Sequence, residues 1–264
     1  MSNLGWLDTS NIDFNALLLL EPLQIEYLSP QEPYEAMGTA LKAHPAVRWM
    51  LTTLYPPVEE YIQSCLALAK DRPSQEELRQ AEITVLNSMQ DWLIYTLDPA
   101  KYNQLDFLGW EDKSLLEMAD FRDKTVLDIG SGTGRLAFTV SPQSSVVYAV
   151  EPIPNLRRYI WKKREELGAN NIFPLDGTIT KIPLQTGFAD ILMAGHVFGD
   201  ELEKEYAEMH RVVCDGGMIL LHPGTNASSE TKAHHFLVSK GFNHDTFEEP
   251  GDGIKRKYWK TIQK

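Results

Sequence analysis

Val126-Leu127-Asp128-Ile129-Gly130-Ser131-Gly132-Thr133-Gly134 is the stretch whose reading decides the fold. Its branched apolar residues predict a short buried strand over Thr125–Ile129. The glycines after it predict a tight turn, and Arg135–Val140 a helix stopped by Ser141-Pro142. The same alternation then recurs. Val146–Val150, Ile172–Leu175, 189–194 and 218–222 read as further strands. Pro154 opens a helix to Leu167 with Gly168 as its C-cap. Asp200 with Glu203 is expected to cap a helix ending near Cys214, and 229–240 a helix closed by Gly241. Residues 242–247 and 256–262 read as a closing hairpin. Alternating strands and helices with apolar strands specify a doubly wound, mainly parallel α/β sheet covered on both faces.

Upstream of about residue 120 the pattern is helical. Tyr34–Ala43, Pro45–Leu54 and 58–70 carry apolar residues at three- and four-residue spacing, with Pro45, Pro56 and Pro57 at starts or between. Ser74 and Glu77 form a capping box opening one long helix to Leu97, striped by Leu78, Ala81, Val85, Met89, Trp92 and Leu93. Residues 14–20 read as a short helix and 23–28 as a strand or extended arm. The expected organisation is an N-terminal helical domain, 1–115, a candidate lid, followed by the α/β domain, 116–264.

Composition sets outer bounds. Of 264 residues, 43% are hydrophobic and 23% charged, which excludes a disordered or fibrous chain. The longest aliphatic run, 16–20, is too short to span a bilayer. The first five residues lack the basic stretch of a secretory signal, so a cytoplasmic protein is expected. Cys65 and Cys214 make no disulfide framework and read as buried thiols. Residues 1–120 hold 19 acidic and 7 basic side chains, and 121–264 hold 18 of each. Such an acidic first part repels nucleic-acid phosphates and anionic membranes, so neither is an expected partner. His234-His235 are adjacent on a helix and make a poor metal pair, and no CxxC or HxxxH appears, so no metal is expected. Arg157-Arg158 and Lys162-Lys163-Arg164 read as the solvated face of their helix.

The glycine turn offers free N–H groups at a helix start. Its spacing is GxGxG, one residue short of the dinucleotide pattern. Asp128 also stands two residues before the first glycine, where a pyrophosphate would be repelled. Both features count against a nicotinamide-dependent oxidoreductase. A cofactor bearing an ammonium group suits the carboxylate. Glu151 ends the second strand 23 residues after Asp128, where an acid can accept both hydroxyls of a ribose. S-adenosylmethionine has the ammonium, the ribose and no phosphate.

Residues from about 120 to 264 resemble a class I S-adenosylmethionine-dependent methyltransferase, closest to the small-molecule, quinone-biosynthesis-like type. VLDIGSGTG matches the first motif and AVEPI the acidic ribose motif, with Glu151 in place of the commoner Asp. Residues 171–177, 182–196 and 214–220 follow the family's order through strands three, four and five. The resemblance implies a Rossmann-like sheet of seven strands, the last antiparallel. It also implies that Gly130, Ser131, Gly132, Thr133 and Gly134 pack on the cofactor's amino-acid end. Asp128 would orient that loop or meet the ammonium, and Glu151 would hold the ribose. Pro152 and Ile153 would flank the adenine, and Asp176 and Gly177 would meet its edge. Ala194, Gly195 and His196 would line the floor beside the methyl group. Tyr102 resembles a closing residue, although Asn103 stands where the family has an acid. The apolar cluster 107–110 is a candidate roof of the substrate pocket.

Methyl transfer needs alignment of acceptor and methyl group and exclusion of water, with a base only where the acceptor holds its proton. His196 is the expected catalytic base, at the C-terminal end of strand four, and His222 a second choice. The expected function is methyl transfer to a small molecule, giving S-adenosylhomocysteine, by a monomer or homodimer. The alternative is a non-catalytic S-adenosylmethionine-binding protein whose helical domain serves a partner.

Overall fold

The computed structural model describes residues 5–28, 34–109 and 111–264. The chain divides into two compact units, Met1–Tyr102 and Asn103–Lys264.

The first unit is helical: α1 Pro22–Glu26, α2 Tyr34–Ala43, α3 Pro45–Leu54, α4 Glu59–Ala67, α5 Gln75–Ser88, α6 Gln90–Leu97 and α7 Pro99–Tyr102. Its core is one apolar cluster that includes Phe14, Leu17, Ile25, Leu41, Leu51, Ile62, Val85 and Leu93. Each such side chain contributes about 1.5–3 kcal/mol on burial. The capping box forms as read, with Ser74 N–H donating to Glu77 at 2.8 Å and Glu77 N–H to Ser74 Oγ at 3.2 Å.

Two expectations fail here. The single helix expected to run to Leu97 breaks at Met89, whose φ of −116° and ψ of 15° leave the helical region. Gln90 turns inward there and is buried, accepting from Leu7 N–H at 3.1 Å and donating to Asn87 Oδ1 at 2.9 Å. The apolar stripe runs through the break, so periodicity does not reveal it. Residues 23–28, expected to be extended, lie largely in α1. Pro22 supplies its first turn, and Glu21 N–H donates to Gln24 Oε1 at 2.9 Å.

The second unit is a seven-stranded sheet with order β3-β2-β1-β4-β5-β7-β6. The strands are β1 Thr125–Ile129, β2 Val146–Val150, β3 Ile172–Leu175, β4 Ala189–Gly195, β5 Val213–His222, β6 Asn243–Glu249 and β7 Gly253–Thr261. The first five pair in parallel, and β7 runs antiparallel to both β5 and β6. α8 Lys113–Leu116 precedes β1, and between the strands lie α9 Arg135–Val140, α10 Pro154–Leu167, α11 Leu202–Val212 and α12 Lys232–Ser239. The period-two alternation splits each strand between two cores. Leu127, Ile129 and Leu192 enter one, and Val126, Ile191 and Met193 enter the other with Ala137 and Ile160. Asp128 therefore shares the face of Val126 and is turned towards α9. The strand order reverses between β1 and β4, and ligands of open α/β sheets bind beyond the C-terminal strand ends at that point.

The start of α11 departs from expectation. Asp200 and Glu203 do not cap it. Buried Glu205 does, accepting from the N–H groups of Gly199, Asp200 and Glu201 at 2.9, 3.1 and 2.8 Å. A carboxylate one turn inside the helix reaches back over the first turn, which a search for a cap at the boundary misses. The last helix likewise begins later than read, at Lys232, where Thr231 Oγ1 accepts from His234 N–H at 3.1 Å.

Candidate functional site

The loop from β1 to α9 carries three left-handed glycines: Gly130 at φ 64°, Gly132 at 55° and Gly134 at 79°. Side-chain-bearing residues are strained there. Space is also limiting at Gly130, where a Cβ would stand 2.3 Å from Val197 Cγ1. The loop folds back onto β2, with Gly130 N–H donating to Val150 O at 2.8 Å. Ser131 Oγ donates to Asp128 O at 2.7 Å.

Two buried carboxylates hold this turn. Asp128 Oδ2 accepts from Ala137 N–H at 3.0 Å, fastening the first turn of α9 to the strand. Its Oδ1 has no hydrogen-bond partner, and neither does buried Thr133 Oγ1. Glu151 Oε2 accepts from Gly132 N–H at 2.9 Å and Oε1 from Ile153 N–H at 2.9 Å. Burial pushes the Asp128 carboxyl up to about 7, with the neighbouring Glu151 charge adding to it. Burial likewise pushes Glu151 up to about 7, against the pull of its two N–H donors. The site thus holds two acids that resist ionising together.

Arg157, read from sequence as part of a solvated face, instead reaches back under this turn. Its Nη1 donates to Glu151 O at 2.6 Å, Pro152 O at 2.7 Å and Asp176 Oδ1 at 2.9 Å. Its position in the first turn of α10 was the available signal. Ile153 is buried just before that helix. Asp176 keeps 76% of its side chain exposed despite this pair. Gly177 is packed so closely that a Cβ would lie 2.7 Å from Pro183 Cδ and 2.9 Å from Val150 Cγ1.

Beyond β1, the end of β4 carries Ala194, buried, then Gly195 and His196. A Cβ on Gly195 would touch Leu136 Cδ1 at 3.4 Å. His196 has a left-handed φ of 58°, its N–H donates to His222 O at 2.8 Å, and its Nε2 lies 2.7 Å from Oε1 of Glu249. Glu249 was not singled out in the sequence. Its signal was a carboxylate at an inward position of β6, two residues after buried Phe247. His222 is fully buried, edge-on to Phe247 at 5.2 Å. Burial pushes it down to about 3, so its imidazole stays neutral and away from solvent. Tyr102 closes the first unit, its ring edge-on to Tyr95 at 4.8 Å. Of the cluster 107–110, Trp110 and the Phe107 side chain lie outside the described residues. Among the described residues, no group of His, Cys, Asp or Glu is arranged to hold a metal ion, and no helix is long and apolar enough to cross a membrane.

Residues 127–221 match the family model described as a methyltransferase domain. No curated protein matches the sequence. Among solved structures, an S-adenosylmethionine-dependent methyltransferase from Aquifex aeolicus is 22% identical, covers 63% of this chain and 99% of its own, and superposes with a TM-score of 0.50. The YcgJ protein of Bacillus subtilis is 15% identical, covering 60% and 98%, with a TM-score of 0.49. A precorrin-6y C5,15-methyltransferase from Geobacter metallireducens is 21% identical, covering 57% and 87%, with a TM-score of 0.45. The sheet order and flanking helices are those of the class I methyltransferase fold. Within the second unit, residues 127–221 are thus similar to a methyltransferase domain, on a fold shared with an S-adenosylmethionine-dependent methyltransferase.

Proposed function

We propose that the protein moves a methyl group, in line, from S-adenosylmethionine to a small-molecule acceptor and releases S-adenosylhomocysteine. The observation that carries this reading is buried Glu151, ending β2 beside three left-handed glycines at the sheet's switch point. The residues fit the group. Asp128 Oδ1 and Thr133 Oγ1 are buried polar atoms that the protein itself leaves without a hydrogen bond. A ligand with an ammonium and hydroxyls supplies what they lack.

In this reading Gly130, Ser131, Gly132, Thr133 and Gly134 cradle the amino-acid end, with Asp128 behind them. Glu151 holds the ribose, Pro152 and Ile153 flank the adenine, and Asp176 and Gly177 meet its edge. Ala194 and Gly195 form the floor. Arg157 keeps the 151–152 turn and Asp176 in place together. The bound cofactor supplies a methyl carbon already activated by its sulfonium. The chain orients the acceptor, excludes water and, where the acceptor holds a proton, receives it on His196.

Calorimetry with S-adenosylmethionine and S-adenosylhomocysteine tests the cofactor. Micromolar binding of both is expected, and silence at millimolar concentration of either would end the reading. For the base, turnover of a hydroxyl acceptor by His196→Ala should fall about 100-fold. Full turnover across neutral pH would remove His196 from the mechanism.

A further inference from the structure

We infer that Lys163 is a modification site, whose side-chain amine takes an acyl group from an activated thioester. It stands apart from the methyl transfer proposed above, since neither acceptor nor cofactor enters.

Lys162, Lys163 and Arg164 are three consecutive bases in α10, and the sequence reads them together as a solvated face. The structure separates them. Lys162 points its ammonium at Glu166, 3.6 Å away, and keeps 77% of its side chain exposed. Arg164 donates to Asn170 O at 3.0 Å and lies over the ring of Trp161 at 4.4 Å. Lys163 instead turns inward. Leu156 and Ile160 are the buried residues of α10, and Lys163 continues their stripe three residues beyond Ile160. It is half-buried, at a place where the period calls for an apolar side chain.

The Lys163 ammonium stands 4.5 Å from the centre of the Phe138 ring in α9 and 5.9 Å from that of Tyr159, one turn back in α10. Ring faces attract a cation but carry no countercharge. Among the described residues, no carboxylate lies within ion-pair distance of Lys163 and no acceptor hydrogen-bonds its amine. Glu166, three positions on in the same helix, is drawn to Lys162. The charge that does act on Lys163 is like in sign, that of Arg135 at the start of α9. Burial first, and then that guanidinium, push the amine below the ordinary lysine range. Burial and the charge of Glu166 push the Tyr159 phenol up, so it stays neutral beside the amine.

Lysine is a nucleophile only as the free amine, and burial beside a second cation is the arrangement that frees it at lower pH. The nitrogen lone pair attacks the carbonyl carbon of the thioester. The N–C bond forms, the C–S bond breaks, and the sulfur leaves as a thiol with the proton that the amine gives up. The product is a neutral amide, which removes an uncompensated charge from an apolar stripe. Acylation of exposed Lys162 brings no such relief, so the fold favours Lys163 over its neighbour.

The full chain, treated with the acetyl thioester of N-acetylcysteamine, tests this by fragment mass spectrometry that resolves residue 162 from residue 163. In the folded protein Lys163 should be acetylated about fivefold faster than Lys162, and its rate should level off at a lower pH. After unfolding in urea the two should react alike. Equal or slower reaction at Lys163 in the folded protein overturns the inference, because the ammonium then reaches past the rings into water. A bias that survives urea overturns it too, since it would come from the local sequence and not from the fold. S-adenosylmethionine plays no part in the readout, so failure here leaves the methyl-transfer reading standing.

Discussion

Buried carboxylates are held in two ways: Glu82 of the helical unit, like Glu205 in α11, is closed by partners from the fold, whereas Asp128 of β1 is not. In the helical unit, Glu82 is closed by its own neighbours: His44 Nε2 lies 2.8 Å from one oxygen and Arg79 Nη1 donates to the other at 2.7 Å. Arg79 is in turn bonded to the carbonyls of Ser10 and Ile12. Buried Gln24 donates to Trp92 O at 2.8 Å. In the α/β unit, Asp128 keeps an oxygen without a hydrogen bond, Glu249 keeps two, and burial raises both Asp128 and Glu151 far above ordinary carboxylates. A buried acid whose partners come from the fold is scaffold. A buried acid that the fold leaves wanting is where a ligand or a proton is expected.

That contrast can be broken in several places. The largest effect is expected at Gly130→Ala. The collision with Val197 and the left-handed backbone together should lower the stability of the α/β unit by about 3–5 kcal/mol and abolish cofactor binding, read by denaturation and calorimetry. Gly168→Ala is the control. Its φ is 66°, yet nothing lies within 4 Å of its Cβ position, so a loss of about 1 kcal/mol with intact binding is expected. Equal losses at both sites would show that strain alone is at work.

Next comes pH. Asp128 and Glu151 have folded pKa values raised to about 7, so the folded cofactor-free protein holds protons that the unfolded chain releases between about pH 4 and 7. Their contribution is therefore full below about pH 4 and lost as pH rises through 7, by about 3 kcal/mol for the coupled pair. Denaturation at a series of pH values should show this fall, and Glu151→Gln should flatten it. A profile identical in the variant would remove Glu151 from the effect.

Smaller again is Glu82→Ala, which strands His44 and Arg79. A loss of about 2 kcal/mol in the helical unit is expected, with cofactor affinity within about twofold of wild type. A large affinity change would undo the division into scaffold and site. The least effect belongs to Lys162→Ala. Its exposed pair with Glu166, at 3.6 Å, should be worth under about 0.5 kcal/mol in thermal unfolding.

The α/β half was legible in the sequence to an unusual degree. The ranges read for β1, β2, β3, α9 and α10 coincide with those observed, because glycine, proline and apolar runs punctuate both ends of each. The helical half was less so. The break at Met89 answers to the inward turn of Gln90, a tertiary demand that leaves the apolar period intact. Of the site, the loop glycines, Asp128 and Glu151 were readable because each sits at a fixed place on one strand–turn–helix unit. Arg157 and Glu249 were not, since their contacts depend on side chains reaching residues 6 and 53 positions away in the chain (Glu151 and His196).

One small contact has a wider consequence. The notch left by hydrogen at Gly130 receives a methyl of Val197, the residue directly after His196. The glycine loop and the 196–197 peptide are therefore in direct contact. A displacement of the Gly130 backbone would press on Val197 and, through the peptide it shares with His196, on the end of β4.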